Sequence, residues 1–218
     1  MKKDHIQTVG EEIANAISHG LMAIFGIVAL ILLLIKADQP IEYTAAIIFG
    51  FGIINLYTMS TIYHALFHPK AKHIFQRFDH LSIYILIGGT FAPALLLLPE
   101  LQNPIFGIDG LGLGPLLFMI QWILIGIGVI FKSIWIKRFA KLHLFIYLAM
   151  GWSALIFVRQ LFAYEQGAFW FVLLGGVAYT IGVIFYVFPK IKFFHFIWHI
   201  FTGLGTILQF IAIYGYLY

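Results

Sequence analysis

Seven long apolar stretches divide the chain, at about 16–35, 41–66, 79–98, 115–134, 140–162, 168–187 and 194–216. Each is near the roughly 20 residues that an α-helix needs to cross the hydrocarbon core of a bilayer. Strands of a membrane barrel would be shorter and would alternate apolar with polar residues, and these stretches do not. Proline and glycine punctuate the connections, in "HPKAKHIFQR", "PELQNPIFGIDGLGLGP" and "FPKIKFF". The pattern predicts an all-α, polytopic membrane protein. It is a single seven-helix domain over residues 1–218, in which residues 1–15 form a cytoplasmic N-terminal segment. The first span is expected to stay uncleaved, because the apolar run is long and "IKADQP" is a poor cleavage site.

Composition strengthens this reading. Hydrophobic residues make up 62% of the 218, charged residues 10%, and the mean hydropathy is +0.98. A soluble domain carries roughly a quarter charged residues, and a core of this size cannot hide so much apolar surface. With no cysteine in the chain, disulfides, thiolate metal ligands and thiol catalysis are excluded. No basic stripe or reading motif for nucleic acid is present, and the expected partners are membrane lipids, one of them a candidate substrate. The pattern carries no indication of oligomeric state.

The positive charges set an expected orientation. Lys2, Lys3, Lys70, Lys72, Arg77, Lys132, Lys137, Arg138, Lys141, Lys190 and Lys192 fall on one side of the alternating spans; only Lys36 and Arg159 fall on the other. The positive-inside bias therefore predicts a cytoplasmic N-terminus, a C-terminus outside, and a place in the cell membrane.

Polar groups inside spans are costly, so their distribution carries functional information. His64 lies near the end of the second span with Ser60 one turn deeper on the same face. Asp79 and His80 open the third span, and His195 and His199 occupy the first two turns of the seventh. Glu12, Asn15 and His19 form a stripe at the entry to the first. At 1.5 Å per residue, all of these fall within about 10 Å of one membrane face. Two imidazoles at i and i+4 can grip one ion, and a third from another helix completes a three-histidine zinc site with an open position for water. Asp79 is placed to orient that water, to act as a base, or to hold a ligand histidine in the correct tautomer, and Ser60 to donate a hydrogen bond to the water or to a polarised carbonyl. Plainer readings stand beside these. An H-x-x-x-H pair at an interface also fits imidazoles that meet headgroups. The Glu12, Asn15 and His19 stripe fits an amphipathic entry to the bilayer. His5, His68, His73 and His143 are expected to be solvated, in loops or at helix ends.

The motifs "EEIANAISHG", "STIYH", "FDHLSIYILIGGTFAP" and "HFIWH" occur in this order over nearly the whole chain. In this it resembles the haemolysin III branch of the progestin and adipoQ receptor (PAQR) family. That resemblance implies seven helices, a cytoplasmic N-terminus, and a zinc ion held by His64, His195 and His199. It also implies a water near Asp79 and a role near zinc for Ser60. It points to a zinc-dependent hydrolase of lipid amides or esters, ceramidase-like. The alternatives are a membrane cytolysin or pore-former, and a receptor or lipid-homeostasis protein with structural zinc. A retinal-binding reading fails, since the seventh span has no lysine.

Overall fold

A computed structural model describes residues 7–135 and 138–218. Lys2, Lys3, His5 and Lys137 lie outside the described residues. Seven helical spans are present: α1 (Val9–Lys36), α2 (Pro40–Ala65), α3 (Pro69–Leu97), α4 (Leu113–Ile134), a fifth span in two pieces, α7 (Gln166–Tyr186) and α8 (Phe194–Tyr216). The fifth consists of α5 (Ala140–Gly151) and α6 (Val158–Tyr164), joined by the 3-10 turn Trp152–Phe157. A small antiparallel hairpin of β1 (Pro104–Ile105) and β2 (Ile108–Gly112) connects α3 to α4.

Two helices begin earlier than their apolar stretches. α1 starts at Val9 because Thr8 and Glu11 close a reciprocal cap. The Glu11 amide donates to Thr8 Oγ1 at 3.3 Å, and the Glu11 carboxylate accepts from the Thr8 amide at 2.8 Å. α3 starts at Pro69, where proline loses no helical hydrogen bond, and the His68 ring accepts from the Ala71 amide. "PKAKHIFQR", expected as a connection, is thus about two and a half helical turns of α3, and Asp79 and His80 lie well inside that helix rather than at its start.

α2 and α3 form the interior of the bundle. Ala45, Ala46, Phe49, Ile53 and Tyr57 of α2 are fully buried, as are Tyr84 and Ala92 of α3. α1 and α4 instead show rows of exposed isoleucine, Ile24, Ile27 and Ile31 on one and Ile120, Ile123 and Ile127 on the other. Such rows at helical spacing are the lipid face of an integral membrane protein. Lipid tails are as apolar as leucine, so close packing must hold the helices together. At Gly52 and Gly89 the backbones of α2 and α3 touch: a Cβ at Gly89 would lie 2.9 Å from the Ile48 carbonyl oxygen and 3.2 Å from the Gly52 Cα.

The first and last spans run parallel. The Glu11 carboxylate accepts from the Phe193 amide at 2.8 Å at one end, and Lys36 Nζ donates to the Tyr214 carbonyl at 2.6 Å at the other. Parallel first and last helices require an odd number of crossings, as seven spans do. Polar bonds cross the interior between α2, α7 and α8, where the Tyr57 and Tyr179 hydroxyls both meet Thr206 Oγ1, at 2.6 and 2.8 Å.

Candidate metal centre

Four helices meet at the end of the bundle that holds the start of α1. The C-terminal turn of α2 brings in His64, 1% exposed. The first turns of α8 bring in His195 and His199, on one face because they are four residues apart. The ring centroids lie 5.2 Å apart for His64 and His195, 5.0 Å for His64 and His199, and 4.7 Å for His195 and His199. One ring nitrogen from each falls within 4.8 Å of the other two. Tetrahedral coordination at about 2.0–2.1 Å per bond would place the nitrogens about 3.3 Å apart, so the rings need close by at most about 1.5 Å. Among the described residues, this is the set of three His, Cys, Asp or Glu side chains that can hold a metal ion. His19 and His80 fall outside it.

The orientation of the rings fits a ligand role. His64 Nδ1 meets Glu12 Oε2 at 2.7 Å, and its Nε2 is buried with no hydrogen-bond partner. A proton on Nδ1, donated to the carboxylate, leaves the Nε2 lone pair free for a metal. This carboxylate–histidine pairing is the usual outer support of a metal ligand. The other Glu12 oxygen receives Lys72 Nζ at 3.0 Å, which fixes the carboxylate from behind. His199 Nδ1 lies 3.3 Å from the Asn15 carbonyl oxygen, and Ser18 Oγ, which donates to that same carbonyl, is also 3.3 Å from the ring. The first helix therefore supports one histidine of α2 and one of α8.

The stripe on α1 has a packing role that its spacing alone left open. Glu12 and Asn15 orient two of the three histidines. His19 lies flat on His199, with centroids 3.5 Å apart and planes 8° from parallel, and Tyr57 meets its edge. The Glu11 bond to the Phe193 amide pins the turn that starts α8, where Phe193 has the left-handed φ of 62°. A bulky residue in that conformation is strained and persists only where surrounding contacts hold it.

Ser60 and Asp79 are buried and face each other across the wall of a cavity of about 180 Å³, which His195 and His199 also line. From this polar end the cavity lining continues along α3, the fifth span, α7 and α8 past Ile83, Ile87, Phe91 and Val172 to Leu217. On α8 the lining spans from His195 to Leu217, which is about 33 Å of helix. The site thus shares its cavity with a long, mostly apolar lining.

The remaining histidines divide. His68 and His73 are exposed, as expected. His143 is not solvated: it is 3% exposed, with Nδ1 2.7 Å from the Tyr84 hydroxyl. The first turn of α5 packs against α3, which a reading of α5 as a helix end at the rim could not show.

Residues 7–210 match the family model described as "Haemolysin-III related". The chain is 40% identical over 213 residues to "Hemolysin-3 homolog" of Bacillus subtilis (strain 168), covering 96% of this chain and 95% of that protein. It is 38% identical to "Hemolysin-3" of Bacillus cereus over 96% of this chain and 93% of that one. "Monocyte to macrophage differentiation factor" of Homo sapiens is 29% identical over 97% of this chain and 86% of its own length. With seven apolar helices, three convergent histidines and matches over almost its whole length, the chain belongs to the haemolysin III family of multi-pass membrane proteins, within the PAQR group.

Proposed function

We propose that this protein is a zinc-dependent intramembrane hydrolase of lipid amides or esters, set in the cell membrane with its N-terminus and histidine cluster on the cytoplasmic side. The observation that carries the reading is the shared cavity: His195 and His199 line the same apolar tunnel as Ser60 and Asp79. A purely structural zinc site is usually closed by a fourth protein ligand and has no need of a tunnel beside it.

His64, His195 and His199 would hold the ion. When bound, zinc supplies Lewis-acid polarisation of a carbonyl and brings the pKa of a water near neutrality. The chain supplies the rest. Glu12 keeps His64 in the tautomer that presents Nε2, and the Asn15 carbonyl does the same for His199. The Asp79 carboxylate accepts the proton released when water attacks the carbonyl carbon, and can return it to the leaving nitrogen or oxygen. The Ser60 hydroxyl, facing Asp79, is placed to donate a hydrogen bond to the substrate carbonyl or to the water. The tunnel takes the acyl chain and excludes bulk water, which strengthens each of these interactions.

A membrane cytolysin is the reading that the names of the Bacillus relatives suggest for this chain. Its spans are dominated by lipid-facing isoleucine rows and a packed interior, which favour a resident membrane protein over an inserted pore. The test is to incubate purified, zinc-loaded protein with defined ceramides and phospholipids and to measure released fatty acid and amine or lysolipid. The wild type is expected to cleave at least one class. Asp79→Asn should keep its zinc and lose cleavage, because an amide cannot take the proton. Loss of zinc in Asp79→Asn would make the carboxylate a support of the metal instead, and absence of cleavage by the wild type would overturn the hydrolase.

A further inference from the structure

A second cavity, of about 540 Å³, lies between α3, α4 and α5; Phe91 and Phe157 line both cavities, but this one includes neither the three histidines nor Ser60 and Asp79. Its walls are apolar, from Leu95, Leu117, Leu124, Phe131, Ile146 and neighbours, apart from Gln121, His143 and Ser153. Two of these polar groups are more than nine-tenths buried and carry an unpartnered atom: His143 Nε2 and Gln121 Oε1. A buried polar atom left unpaired forfeits the hydrogen bonds it made to water, so the two atoms call for a polar partner in the groove.

The tautomer of His143 states what it would bind. The Tyr84 hydroxyl, 2.7 Å from Nδ1, needs an acceptor for its proton. If it donates to Nδ1, Nε2 carries the ring hydrogen and presents a donor to the groove. The opposite tautomer leaves the buried Tyr84 proton without an acceptor. A donor at this position calls for an oxygen acceptor on the occupant.

Charge narrows the choice further. From Gly110 to Tyr164 the chain has no Asp or Glu, while Lys132, Arg138 and Lys141 stand at the α4–α5 connection in the sequence. Lys132 lies within electrostatic reach of His143. His143 sits three residues into α5, about 4.5 Å from its start, at the depth of lipid phosphates and esters. From His143 the α5 side of the groove continues to Ile156, about 20 Å along the span, enough to cover one leaflet's half of the roughly 30 Å hydrocarbon core.

We propose that this groove binds one anionic phospholipid, with a phosphoryl or ester oxygen accepting from His143 Nε2 and an acyl chain lying between α4 and α5. The lipid would be a bound companion beside α3, divided from the proposed substrate tunnel by Phe91 and Phe157, which line both cavities.

Native mass spectrometry of detergent-purified protein tests this, after exposure to equal amounts of phosphatidylglycerol and phosphatidylcholine with identical chains. The wild type should retain one lipid per chain, with a preference for phosphatidylglycerol on the order of tenfold. His143→Leu should abolish most of that preference. Ala149→Trp and Ser153→Phe each place a large side chain on the groove wall and should release the lipid. Zinc content, read on the same samples, reports that the variants are folded, since none of the three touches the histidine cluster. Equal retention of the two lipids, no retained lipid, or undiminished retention in both filled variants with full zinc content would overturn the site.

Discussion

Glu12 offers the sharpest test of how the metal centre is built. It touches no metal in the proposed site and acts only through His64. Glu12→Ala removes the acceptor 2.7 Å from His64 Nδ1 and leaves a ring that is 1% exposed free to take either tautomer. Loss of such an outer partner typically weakens metal binding by about 10–100-fold, or about 1.4–2.7 kcal/mol. Glu12→Gln keeps an oxygen acceptor but not the charge, so a smaller loss is expected. Lys72→Ala removes only the cation behind the carboxylate. That ion pair is partly solvated and worth about 0–1 kcal/mol, so affinity should fall less than about fivefold. The assay is competition for zinc between purified protein and a fluorescent chelator, with circular dichroism to confirm helicity. An unchanged zinc affinity in Glu12→Ala would refute the carboxylate–histidine support. Equal losses in Glu12→Ala and Lys72→Ala would show instead that the fold of this end, rather than the tautomer, was disturbed.

Other outcomes follow from the same geometry. His64→Ala, His195→Ala and His199→Ala should each lower zinc content and the midpoint of thermal unfolding, because a metal bound only to the native state adds to its stability; His73→Ala should change neither. The wild-type midpoint should fall on chelation, and undiminished zinc in both α8 variants would dismiss the site. Gly89→Ala should destabilise by about 1–3 kcal/mol, since its methyl would press on the Ile48 carbonyl and the Gly52 backbone, and an unchanged unfolding midpoint would show that α2 and α3 can separate at no cost. In intact cells, a cysteine at exposed Asp109 should react with an impermeant thiol reagent and one at Lys70 should not; the chain has no cysteine of its own to confuse the result, and labelling at Lys70 would reverse the proposed orientation.

What the sequence by itself determined is whatever depends on local composition and on spacing along one helix. Seven apolar stretches imply seven spans, because a bilayer leaves the backbone no cheaper way across. His195 and His199 share a face because 3.6 residues make a turn, and Ser60 stands one turn from His64 for the same reason. Helix starts were less legible. Lys70, Lys72 and Arg77 made the opening of α3 look like a loop, because apolar content marks where lipid is, not where helical hydrogen bonding begins. Only the tertiary structure decided which helices are neighbours. His64 and His195 are 131 positions apart, and no periodicity reports that α2 and α8 meet. The same holds for the stripe of Glu12, Asn15 and His19, whose spacing fits an interfacial entry as well as a supporting wall. The parallel packing of α1 against α8 makes it the wall. His143 looked solvated because its neighbours in sequence are Lys141 and the α4–α5 connection; the Tyr84 hydroxyl that buries it comes from α3, 59 residues away.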